Sequence, residues 1–141
     1  EEFGVRSEIW SATSYGELRR DGLEVDRWNR LNPDKPAKQC YIQSQLGNSK
    51  TPIIAVSDNM AAVPDMVRKW MPENYEVLGT DGFGRSDTRE ALRRFFEIDG
   101  VAVTLAALSQ LVRKGDIDAK VYTKAVKKFG VSSDRIDITE L

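Results

Sequence analysis

The feature that most constrains the fold is a short, unbroken apolar run, Ile53-Ile54-Ala55-Val56, opened by Pro52 and closed by Ser57-Asp58-Asn59. A run too short for a helix and without polar alternation fits a strand covered on both faces, as in a parallel sheet. Behind it, Val63, Met66, Val67 and Trp70 recur on one helical face. Pro64 is tolerable there because it lies in the first turn, and Pro72 closes the element. Tyr75 to Gly79 then reads as a further strand. Strand, helix and parallel strand imply a right-handed crossover.

The flanking segments extend the same alternation. Ser7 to Thr13, with Ile9 and Trp10, predicts a strand. Ser14 offers a helix N-cap, with Glu17 three residues later. A helix from Tyr15 is expected to end near Gly22, and a second stretch, Leu23 to Leu31, shows Val25, Trp28 and Leu31 at helical spacing before Asn32-Pro33 stops it. Pro33 to Lys38 is a polar connector. Tyr41 to Leu46 fits either a short helix ending at Gly47 or a strand.

After a glycine-bearing loop, Thr80 to Ser86, the pair Asp87 and Glu90 reads as an acidic capping box ahead of Ala91, Leu92, Phe95 and Phe96. Val101, Leu105, Leu108 and Val112 form a helical stripe ended by Arg113-Lys114-Gly115. Val121 to Phe129, followed by Gly130, predicts a last helix. The expected class is α/β with three layers and a mostly parallel (mixed) sheet.

The whole chain, 1–141, is one domain by length. Three strands are few for a sheet of this class, where ~5 are usual. The opening Glu1-Glu2-Phe3-Gly4 reads as the last turn of a helix capped at Gly4. Both points lead to the expectation that a first strand and its helix precede residue 1.

Composition excludes several functions. The chain has 141 residues, a net charge of -1, one cysteine and no histidine. Its charges are interspersed, so nothing reads as a nucleic-acid stripe or a polybasic membrane patch. No run approaches the ~20 apolar residues that span a bilayer. Lacking histidine, the chain has neither the commonest general base nor the commonest zinc ligand. Cys40 has no histidine to activate it and reads as a bystander beside the connector. No metal or catalytic residue is assigned.

The most distinctive stretch is Gly79-Thr80-Asp81-Gly82-Phe83-Gly84-Arg85-Ser86-Asp87-Thr88-Arg89-Glu90. It leaves a strand and enters a helix, and ligands of open α/β sheets sit beyond the carboxyl ends of strands. Free backbone N–H groups there, with Arg85 and Arg89, suit a phosphate or carboxylate. The candidate anion or regulatory loop is therefore Thr80, Asp81, Gly82, Gly84, Arg85, Ser86 and Arg89. The structural reading of the same residues weighs more. The glycines permit a tight turn, Asp87 already occupies the helix start, and Asp81 and Asp87 would repel an anion.

Asp58, Asp65, Asp81 and Asp87 read as turn or cap residues. Trp10, Trp28 and Trp70 read as core or interface anchors. Leu18 to Asp21 and Asp26 to Arg30 form either a solvated helix face or an inter-subunit surface.

Trp10-Ser11-Ala12-Thr13-Ser14 followed by Glu17-Leu18-Arg19-Arg20-Asp21-Gly22 resembles the W-S-x-T-S and E-L-x-R-D-G pattern of the pyruvate dehydrogenases. Arg27 to Leu31 continues it. Val56 to Met60 and Val63-Pro64-Asp65 resemble the family's S-D-Y-M and V-P-D elements, with Asn59 where tyrosine is usual. Leu78 to Phe96 is the closest match. Val131 to Leu141 matches nothing in that pattern.

The resemblance is to the C-terminal, transketolase-like domain of the homodimeric decarboxylating component of bacterial pyruvate dehydrogenase. It implies an oxidoreductase that decarboxylates pyruvate with thiamine diphosphate and Mg²⁺, then acetylates the lipoyl group of a dihydrolipoyl acetyltransferase core in the cytoplasm. It also implies that preceding domains bind the cofactor. This domain would close the subunit and extend the contact with the second subunit of the homodimer, and would be inactive alone. Two alternatives are a module that senses an anionic metabolite and the equivalent domain of a transketolase.

Overall fold

A computed structural model of the chain describes residues 3–134. Its elements run α1 (Tyr15–Leu31), α2 (Tyr41–Leu46), β1 (Ile53–Val56), α3 (Ala62–Asp65), a 3₁₀ turn (Arg68–Trp70), β2 (Tyr75–Leu78), α4 (Arg89–Phe95), α5 (Gly100–Lys114) and α6 (Ala119–Phe129). The two strands pair in parallel, with Ile53 opposite Tyr75 and Val56 opposite Leu78. The expected α/β order is present, but among the described residues the sheet has two strands and is wholly parallel.

Ser7 to Thr13 is the strand that does not form. A strand requires a partner for its backbone groups, and these residues pair with none of the described residues, which leave Ile9 93% and Trp10 54% exposed. At Gly4 the left-handed conformation expected of a helix cap is present, φ +69°. Glu1 and Glu2, which would supply the turn before it, lie outside the described residues, as does 135–141 of the tail.

Helix α1 begins as expected, with Ser14 Oγ accepting from the Glu17 amide at 3.2 Å. It does not end at Gly22 but runs on to Leu31. Gly22 is buried at mid-helix against Trp70, where an added Cβ would come within 2.5 Å of the indole. The glycine serves close packing rather than a helix end.

Tyr41 to Leu46 is helical, and Cys40 is its fully buried N-cap residue and part of the core. The Val63–Trp70 stripe faces the core but is split. Pro64 and the turn at Met66-Val67 divide it into α3 and the 3₁₀ turn.

The core beside the sheet gathers Cys40, Ile42, Val67, Trp70 and Tyr75, with Leu18, Val25, Ile53, Ala55 and Val77 packed on it. These strand residues share one face by alternation. The other face meets α5, where Gln110 donates to Glu76 at 2.6 Å. Helices therefore flank both faces, and the layer order is helix, sheet, helix. Coverage is thinner than the apolar run predicts, because Val56 remains 44% exposed.

A second core lies between α5 and α6. It contains Leu105, Leu108 and Ala125, with Phe3, Val5, Tyr122 and Phe129 around them. Gly115 and Gly130 cap these helices in the left-handed conformation, as the sequence predicts.

By length and composition, Arg89–Lys114 is apolar enough to cross a membrane. It is interrupted after α4, with Glu97 at φ 54°. The 15 residues of α5 extend about 22 Å, short of a ~30 Å hydrocarbon core.

Candidate functional site

Parallel pairing brings the carboxyl ends of both strands to one end of the sheet, so the loops after Val56 and Leu78 meet. Gly79 makes the meeting possible. A Cβ there would lie 2.4 Å from the Ala61 nitrogen, so only glycine lets the two backbones approach this closely.

Three hydrogen bonds then clasp the loops. The Thr80 amide donates to the Asn59 carbonyl at 2.9 Å, Thr80 Oγ1 donates to the Asp58 carbonyl at 3.1 Å, and Asp81 Oδ1 accepts from the Ala61 amide at 2.9 Å. Arg93 reaches the Asp58 carboxylate at 3.4 Å.

Beyond the clasp the loop turns at Gly82, φ +100°, and projects Phe83, 73% exposed. Gly84 does not adopt a positive φ. Arg85 lays its guanidinium over the Phe95 ring, 4.2 Å from the centroid. The helix start differs by one residue from the expectation. Thr88 is the N-cap, its Oγ1 accepting from the Ala91 amide at 3.3 Å, while Asp87 accepts from the Thr88 amide at 2.7 Å. Thr88 has the extended backbone a cap requires, and no bond links Asp87 and Glu90 as a capping box.

Of the candidate residues, Thr80 and Asp81 are joined to the neighbouring loop, Gly82 and Gly84 shape the tip, and Arg85 is turned onto an aromatic face. No hydrogen bond or ion pair brings Ser86 or Arg89 to the others among the described residues. The four aspartates take the roles of turn, cap or surface partner: Asp65 pairs with Arg68 at 2.5 Å, and Asp58, Asp81 and Asp87 act as above.

Two shallow depressions lie elsewhere. One of about 450 Å³ runs along α4, lined by Thr88, Glu90, Ala91, Arg94 and Phe95. The other, about 330 Å³, follows α1 beside Trp28 and Leu31. There Lys38 Nζ sits 4.0 Å from the Trp28 ring centroid, and Asn29 holds the Lys38 backbone through two hydrogen bonds of 2.8 and 3.0 Å. This contact escaped the sequence reading, since nothing in a polar connector marks Lys38.

A second feature missed was Asp26. Its carboxylate accepts from Lys69 Nζ at 2.5 Å and from the Trp70 indole at 3.2 Å. The Lys69 hydrogen bond, aided by Trp70, holds its carboxyl below the ordinary range. Burial raises the Tyr75 phenol, whose hydroxyl donates to the Pro64 carbonyl at 2.7 Å. Burial likewise pushes the Cys40 thiol up, away from the reactive thiolate. These groups hold the core together and face no cleft. Among the described residues no three His, Cys, Asp or Glu gather into a set that could hold a metal ion.

Residues 1–99 match the transketolase-like TK C-terminal domain family. The chain is 48% identical over 135 residues to the pyruvate dehydrogenase E1 component of Pseudomonas aeruginosa, covering 95% of this chain and 15% of that protein. It is 44% identical over 130 residues to the protein of that name from Mycolicibacterium smegmatis, covering 92% of this chain and 14% of that one. With the Escherichia coli K12 protein of the same name it shares 42% over 137 residues, covering 96% and 15%. The chain thus spans about 15% of the length of the curated relatives it matches.

Proposed function

Since the chain belongs to the transketolase-like C-terminal domain family, we propose that it is the closing and assembly domain of a pyruvate dehydrogenase decarboxylating component. The observation that carries this reading is similarity along 95% of the chain to a protein named for that activity. The whole enzyme would decarboxylate pyruvate with thiamine diphosphate and Mg²⁺ in the bacterial cytoplasm. It would pass the acetyl group to the lipoyl group of a dihydrolipoyl acetyltransferase core and would work as a homodimer. Domains preceding this one would hold the cofactor.

The geometry supports an organising role for these residues. The clasp of Gly79, Thr80 and Asp81 uses its polar groups to fix one loop to another. The anion-sensing alternative is disfavoured by the same groups. Asp81 is committed to the Ala61 amide, Thr88 and Asp87 occupy the start of α4, and Arg85 lies on Phe95.

The test is a decarboxylation assay with thiamine diphosphate, Mg²⁺ and pyruvate, run on the intact protein and on residues 1–141 alone. Turnover is expected only from the intact protein. Turnover by residues 1–141 would refute the assignment of the chemistry to other domains.

A further inference from the structure

The loop after β2 ends in an aromatic side chain without cover. Phe83 is 73% exposed, although large aromatic side chains gain most from burial. The loop that carries it is pinned on both sides. Thr80 and Asp81 fix one stem to Asp58, Asn59 and Ala61, and Arg85 over Phe95 fixes the other. Two more apolar side chains are bare at the same end of the sheet. Met60, 58% exposed, lies between the two clasped residues Asn59 and Ala61, and Val56, 44% exposed, ends β1. Exposed aromatic and apolar side chains grouped at one end of a sheet are the kind of anchor a protein interface uses. A loop already held in shape loses little freedom on docking.

The occupant follows from chain length. Resting on the function proposed above, and given that this chain spans about 15% of its relatives, most of the protein lies in the same polypeptide. A tethered domain meets this face at an effective concentration of about millimolar. We infer that Phe83, with Met60 and Val56, is the anchor by which this domain seats against another domain of its own polypeptide. The receiving surface is an apolar socket.

Hydrogen exchange on the intact protein, wild type and Phe83→Ser, tests this. The backbone N–H groups of residues 82–87 donate to no acceptor among the described residues, so an undocked loop exchanges fast. Docking is expected to slow residues 82–86 by at least about ten-fold at every protein concentration, with fast exchange restored in Phe83→Ser. Phe83 is exposed, so the variant folds, and Met60→Ser provides a second probe of the same face. Fast exchange in an intact enzyme that turns over pyruvate overturns the docking inference and leaves the proposed function standing. Protection that fades on dilution, in step with subunit dissociation, also overturns it by assigning the face to a second copy. A protected loop in an intact protein without pyruvate turnover supports docking and removes the proposed function instead.

Discussion

At Gly22 helix propensity and packing oppose each other. Alanine in a helix interior is favoured over glycine by ~1 kcal/mol, yet its Cβ would meet the Trp70 ring at 2.5 Å. Overpacking of a buried site costs about 1–3 kcal/mol, so packing wins. Gly22→Ala is expected to lower stability by about 1–2 kcal/mol in urea unfolding, and a gain would show that the helix and the indole do not touch. Asp26 carries a pH signature nearby. Its folded pKa is depressed by Lys69, so its contribution is present above the unfolded carboxylate pKa and is lost as pH falls through the folded value. Asp26→Asn is expected to flatten the stability profile on the acid side of pH 4, by no more than about 1 kcal/mol for so exposed a pair. A variant with the wild-type acid slope would remove Asp26 from the account.

Among elements, the caps distinguish the two readings of the α4 start. Thr88→Ala removes the acceptor for the Ala91 amide and is expected to cost ~1 kcal/mol. Asp87→Ala, which loses only a contact to the adjacent amide, is expected to cost less. The reverse order in thermal or urea unfolding would restore the capping box read from the sequence. What was legible there depended on local signals. The Ile53–Val56 run, the Ser14 cap, and Gly115 and Gly130 after their stripes are decided by residues within a turn of each other, and they stand where expected. Gly22 was misread because a mid-helix glycine and a terminal one look alike until Trp70, far along the chain, is in place. Ser7 to Thr13 has the composition of a strand, but strand formation needs a partner that composition does not supply. In the candidate loop the residue types were legible and their partners were not. Asp81 reads as a turn residue whose charge repels anions, but its partner, the Ala61 amide twenty residues back, is not visible in the sequence.

For the whole molecule, exposed Ile9, Trp10, Met60 and Phe83 and the open sheet edges have no cover among the described residues. Exposed apolar patches and unpaired edges promote association. Residues 1–141 alone are expected to self-associate as concentration rises, seen as a growing sedimentation coefficient; a single monomeric boundary throughout would show that these surfaces do not stick.

The interior is divided between two cores. One holds α1, α2 and the sheet, and the other is the α5–α6 hairpin, within which Phe3 packs edge-on against Phe129 at 5.9 Å. A molecule partitioned in this way can yield by halves. The hairpin, with its tight turn and mostly local contacts, re-forms quickly after release, whereas the sheet side waits on pairing between distant stretches of chain. With Trp10 replaced by Phe, a heating trace read through Trp28 and Trp70 reports the sheet side, and one read through backbone ellipticity reports both. Separation of the two traces is the imprint of that seam.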